Sequence, residues 1–249
     1  MLNQVLFALI LLVTCTVEGI TGFGGGILAL PFLDPLVGLK SAVPALAALG
    51  LINSSYRTFT LHKQIVKKEL WTMVFFIVLG LPVGMWAFAV LPERPLKIIL
   101  GVFMLYVAIK GLVEIYQPHL KAQASRPASG KRKILFYVLL FCGGLMQGAF
   151  TSGGPFIVMY ATMALKEKEA FRATLFAMWV VVNTLITARN AVSGVLTAEV
   201  LQLVLWALPA LVLSVLISNR LQKYISGQTF NKIVYGTLLI AGLFMCINH

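Results

Sequence analysis

Residues 150–160 read FTSGGPFIVMY, with two glycines and a proline in the middle of a run that is otherwise apolar from Ile134 to Leu165. Residues 18–32, EGITGFGGGILALPF, repeat the theme near the start of the chain, with a glutamate ahead of a cluster of glycines. Glycine and proline are the residues least suited to a helix interior. Backbone released from helical hydrogen bonds inside a bilayer must find partners in protein or trapped water. Two such breaks, similar in composition and half a chain apart, therefore need a common explanation.

The chain has 249 residues, of which 59% are hydrophobic and only 11% charged, and its mean hydropathy is +0.93. A soluble core of this size does not absorb so much apolar surface, so the sequence defines an all-α integral membrane protein. Eight apolar segments stand out, at 2–31, 41–61, 70–90, 95–116, 134–165, 171–190, 198–218 and 230–247. Most are near the roughly 20 residues that span a bilayer, but the first and fifth are too long for one upright helix. No Lys or Arg precedes the first run, so it is read as part of the mature protein and not as a signal peptide. The net charge of +12 lies mostly in loops and marks topology; it does not call for nucleic acid. Cys15, Cys142 and Cys246 form no Cys-x-x-Cys pair, and His62, His119 and His249 fall at loops or the terminus. Neither a metal site, a cofactor, nor an enzyme's constellation of His, Asp and Glu is expected.

Residues 118–133, PHLKAQASRPASGKRK, are the only long polar stretch. They divide the chain into a first membrane unit, 1–117, and a second, 134–249. The halves align weakly but in order. Gly19 falls on Gly148, Gly24 on Gly153, Gly25 on Gly154, Arg57 on Arg189 and Pro82 on Pro209, and KIILG at 97–101 falls on KIVYG at 232–236. Internal repeats of this kind are common in secondary transporters.

Loop charge tests how the repeats sit. If all eight segments cross the membrane, Lys and Arg divide nine against nine, without the usual bias. If the fifth segment enters and returns at its break, one side holds three in 62–69, five in 117–133, three in 163–172 and three in 219–232. That side then has 14 against 4. Each half becomes a re-entrant hairpin plus three crossings, and an odd number of crossings inverts one half relative to the other. Both termini then lie outside the cytoplasm. A parallel arrangement of four and four crossings stays open as the alternative.

The breaks suit an anion. Pro155 fits the first turn of a half-helix, and Gly153 and Gly154 allow a sharp reversal with positive φ. A half-helix beginning there points free N–H groups and a positive dipole end at the protein centre. Thr151 and Ser152 add hydroxyls. Thr21 and the glycines 24, 25 and 26 offer the matching site in the first half. Glu18, three residues before its break, has Gln147 as its counterpart, and the pair is a candidate for coupling. Arg57 and Arg189, with Asn53 and Asn183 a turn or so earlier, offer a cationic, hydrogen-bonding lining; snorkelling to the interface is the competing reading. Gly143 and Gly144 are read as packing residues, and Lys110 with Glu114 as a surface pair.

The paired signatures EGITGFGGGILALP and GAFTSGGPFIVMY resemble those of the TauE/SafE family of sulfite exporters, and the resemblance covers essentially the whole chain. The second motif reads TSGGP where many members carry a GxGGG form. The resemblance implies secondary transport of a small sulfur-containing anion such as sulfite or sulfoacetate across the cytoplasmic (inner) membrane of a prokaryote. The expected partners are that anion and the lipid bilayer. A passive anion channel with the same lining is the alternative.

Overall fold

In the computed structural model, the residues described are 2–117, 130–221 and, in the last segment, 235, 236, 238–240, 242, 243 and 246. Residues 118–129 of the expected linker and most of the eighth apolar segment lie outside them. Every regular element among the described residues is helical. The protein is a multi-pass, all-α membrane protein, with five helices long and apolar enough to cross a bilayer among the described residues.

The first break falls where the sequence places it. Helix α1 runs Leu2–Thr21 and α2 Gly25–Val37. Between them Gly22 and Gly24 take φ of 87° and 94°, a left-handed conformation that costs any residue with a β-carbon. Helix α2 continues through Pro31, the expected limit of the first segment, and through Pro35, until Gly38 turns the chain at φ 72°. It folds back on α1: Asn3 Nδ2 near the start of α1 donates to Leu36 O near the end of α2, at 3.3 Å.

Helix α3 (Leu39–Leu61) follows at once, then a short 3-10 turn (His62–Gln64), α4 (Lys67–Val90) and α5 (Glu93–Tyr116). Helix α3 has the length to span a bilayer, but Lys40, Asn53, Ser54 and Arg57 keep it from the purely apolar class. Helix α6 (Gly130–Phe150) begins inside the expected linker, taking up its last four residues. Helices α7 (Gly154–Ala164), α8 (Lys168–Val192) and α9 (Ala198–Leu221) complete the described bundle.

The reversal before α7 is made differently from expectation. Gly153 has φ −70° and Gly154 is already helical; the left-handed residue is Thr151, at φ 51°. Thr151 stands where Gly22 stands in the first break, so a threonine carries the conformation that glycine carries in the other half.

Packing pairs the halves with each other. Helix α4 lies along α6, α9 along α1, and α3 along α8. The α4–α6 seam is a close approach of backbones. A β-carbon on Gly80 or Gly84 would strike carbonyl oxygens of Phe141 or Leu145, and one on Gly144 or Gly148 would strike those of Ile77 or Leu81. Two small-xxx-small ridges thus face each other, as is usual where helices associate in lipid. Gly143 packs on Ile157 of α7. Two buried apolar clusters result, one centred on α1, α2, α3, α5 and α9, the other on α4, α6, α7 and α8. Large apolar side chains such as Phe75, Val102 and Leu205 face outward, as they do when lipid is the solvent. Trp71 and Trp86, both exposed, stand 15 residues or about 22 Å apart along α4, a spacing suited to the two interfaces.

Candidate functional site

The two breaks abut. A β-carbon on Gly26, in the first turn of α2, would lie 2.6 Å from Thr151 O of the other break, and Gly154 Cα faces Phe23 with a β-carbon distance of 3.4 Å. Sites at the crossing of discontinuous helices are dry enough that every polar group there must be accounted for. Here they surround a cavity of about 40 Å³. Glu18, Gly24, Gly25 and Gly26 line it from one break; Gln147, Thr151, Ser152, Gly154 and Pro155 from the other; Gly50, Trp179 and Asn183 close it from α3 and α8.

Matched side chains hold the two breaks. Gln147 Oε1 accepts from the Gly153 N–H at 2.9 Å, and Gln147 Nε2 donates to Asn183 Oδ1 at 3.1 Å. In the other half Asn53 Nδ2 donates to Glu18 Oε2 at 3.3 Å, and a β-carbon on Gly25 would lie 2.5 Å from that same carboxylate oxygen. Glu18 thus places its carboxylate at the N-terminus of α2, where the exposed N–H groups and the helix dipole favour negative charge. The amide Gln147 occupies the same place at α7. The two asparagines are spatial counterparts, each one bonded to the polar residue of its own break.

Two carbonyls at the C-terminal end of α1 have lost their helical partners. Arg172 Nη2 donates to Gly19 O at 2.7 Å and Trp179 Nε1 to Gly22 O at 3.0 Å. Both donors come from α8, and a cation at a helix C-terminus also complements the dipole. Neither Arg172, which the loop-charge pattern places among the loop cations, nor Trp179 is expected at the site from sequence. Their signal was present in the spacing of Arg172, Phe176, Trp179 and Asn183, steps of four, three and four that line one helical face.

Other anticipated residues fall elsewhere. Arg57 does not snorkel: it is 2% exposed. Its Nε donates to Asn53 Oδ1 at 3.0 Å, its Nη2 to Ser218 Oγ at 2.9 Å, and its guanidinium lies 5.3 Å from the centroid of the Phe176 ring. It reaches this place because Gly19 has no side chain; a β-carbon there would collide with Arg57 Nη2. It supports Asn53 from behind and does not line the cavity. Arg189, its partner in the alignment, borders a separate cavity. The arginines are therefore not brought together, because the spatial match runs from Asn53 to Asn183 and leaves them out of register. The Thr21 hydroxyl is engaged by Val17 O and Phe23 O at 2.9 and 2.6 Å and serves the turn. Gly153 packs against Gly143 O. The Thr151 and Ser152 hydroxyls both donate to Phe150 O, at 2.6 and 2.9 Å, and both residues line the cavity. Lys110 and Glu114 form the expected ion pair, at 3.0 Å.

Discontinuous helices meeting around a small cavity in a multi-pass bundle are the feature on which secondary transporters build their substrate sites. The chain belongs to the sulfite exporter TauE/SafE family, whose sequence profile matches residues 6–245. A protein of Cupriavidus necator named as a probable sulfite/organosulfonate exporter TauE is 27% identical over 233 residues, covering 90% of this chain and 86% of the relative. No solved structure matches significantly.

Proposed function

We propose that this protein is a secondary transporter that exports a small sulfur oxyanion, of the sulfite or sulfoacetate kind, across the cytoplasmic membrane. The observation that carries the proposal is the contact of the two breaks, Gly26 against Thr151, around one cavity to which both breaks contribute polar groups. The cavity has room for about three water-sized groups, a scale that suits the head of a single small oxyanion. Backbone N–H groups at the starts of α2 and α7 bind the anion, and the hydroxyls of Thr151 and Ser152 turn their hydrogens to it on releasing Phe150 O; Asn183 orients it, and Asn53 acts through Glu18.

Glu18 is the coupling residue in this reading, and Gln147 its non-titrating counterpart. The Glu18 carboxylate already occupies the anion position at α2, so a second negative charge enters favourably only when Glu18 carries a proton. Anion binding and proton uptake are then linked.

The two units, 1–117 and 134–249, act as inverted repeats. The reciprocal packing of α4 on α6 and of α9 on α1 supports a two-fold relation of the units, and the return of α2 beside the start of α1 supports a re-entrant opening segment, which inverts them. Rocking of one unit against the other about the fixed breaks gives alternating access. Proteoliposomes loaded with unlabelled sulfite test this directly. A carrier shows saturation and accelerated uptake of labelled sulfite by counterflow; conductance without counterflow would replace the carrier by a channel.

A further inference from the structure

A second cavity, of about 350 Å³, lies between α3, α4 and α8, apart from the one between the breaks. Its lining combines charge on one side with hydrocarbon on the other. Lys40 from the first turn of α3 and Arg189 from the last turn of α8 border it, with Asn190 beside them. Met85 and Phe88 of α4 and Ile186 of α8 supply an apolar wall, and no carboxylate contributes among the described residues.

Three observations point to a ligand here. Lys40 stands at the positive end of the α3 dipole, where a cation is unfavourable unless an anion offsets it. Neither Lys40 nor Arg189 forms an ion pair among the described residues. Asn190 is 5% exposed, and its side chain borders the cavity without a hydrogen-bond partner among the described residues. Its amide is therefore free to donate to an occupant of the cavity.

We propose that this cavity is a second anion site, for a ligand with an oxyanion head and a short apolar body. Arg189 grips the head through its planar fork, Lys40 adds charge, Asn190 donates from its amide, and the body lies against Met85, Phe88 and Ile186. Two sources share this chemistry: an organosulfonate in transit and an anionic lipid at the rim. The first rests on the transport reading of the central site; the second does not. In the inverted topology Lys40 and Arg189 belong to the non-cytoplasmic face, so a transported anion meets this site on its way out.

The test titrates the full chain, in lipid-free neutral detergent, with ethane-, butane- and hexanesulfonate and with sulfite, by calorimetry. The expected result is binding that tightens by up to about fourfold per added methylene and weakens at least tenfold in Lys40→Gln/Arg189→Gln. Lys40→Gln alone, altering an exposed side chain, gives a smaller loss with unchanged melting temperature. Sulfite binding at the central cavity persists in both variants; its loss in the wild type with the alkyl series intact would count against the central site and not against this one. In nanodiscs, phosphatidylglycerol that co-purifies with the wild type, leaves the double variant, and blocks the alkyl series would overturn the solute as occupant and install the lipid. A response independent of chain length and of both substitutions, with no lipid retained, overturns the proposal.

Discussion

Replacing Gly26 by alanine adds one methyl group where the two breaks touch. Its carbon would lie 2.6 Å from Thr151 O, 0.8 Å short of the 3.4 Å at which ordinary contact begins. The obstacle is backbone at both ends, so no side chain can rotate away and the breaks must part. Overpacking of a tight contact costs about 1–3 kcal/mol, and alanine's better helix propensity returns about 1 kcal/mol. The net loss of about 0–2 kcal/mol leaves most of the protein folded, but it falls entirely on the spacing of the site. Gly154→Ala is the matched control: its methyl meets Phe23 at 3.4 Å, an ordinary contact, and carries the same propensity gain. Gly25→Ala falls between, since the atom it meets, at 2.5 Å, is the flexible end of Glu18. Counterflow of labelled sulfite at equal protein, with melting followed by fluorescence-detected size exclusion, should rank them Gly154→Ala, Gly25→Ala, Gly26→Ala. Sulfite flux is expected to fall at least tenfold in the last. Full activity in Gly26→Ala, or equal damage in Gly154→Ala, would refute the idea that contact between the breaks sets the geometry of the site.

Glu18→Gln makes the two breaks chemically alike; it should retain the fold and sulfite binding while losing the pH dependence of binding, and an unaltered pH profile would remove Glu18 from coupling. Arg57→Lys keeps the charge but not the fork that spans Asn53 and Ser218, so stability should fall by about 1–2 kcal/mol with little change in apparent affinity, read from melting and from transport KM. In the inverted topology Glu167→Cys is labelled only from the cytoplasmic side and Thr197→Cys only from outside; the reverse pattern at both positions would restore the parallel arrangement.

The membrane class, the two breaks and their approximate limits were legible because hydropathy and glycine placement act locally. Whether two breaks 130 residues apart touch is a tertiary fact, and only the close approach of Gly26 to Thr151 carries it. The alignment failed where it trusted identity over environment. Arg57 and Arg189 match as letters, yet Asn53 and Asn183 match in space, because each makes the hydrogen bond that its own break leaves available. Thr151 was unreadable for another reason: a threonine with positive φ has no sequence signal, and the adjacent glycines drew the reversal to themselves. Arg172 hid among loop cations because charge counting treats a residue at a helix start as solvent-exposed. Its use as a partner for Gly19 O depends on where α1 ends relative to α8.

The packing of α4 on α6 and α9 on α1 also has a meaning for assembly. Each half places its fourth helix against the opening helix of the other, so neither half can complete its own interior while it stands alone. As the chain leaves the ribosome, the glycine face of α4 at Gly80 and Gly84 waits for α6, and α1 waits far longer, for α9, the ninth helix in order. Long-range pairing of this sort delays closure of the bundle until synthesis is nearly done. The same interlock predicts that two separately made halves, co-expressed, associate through these seams.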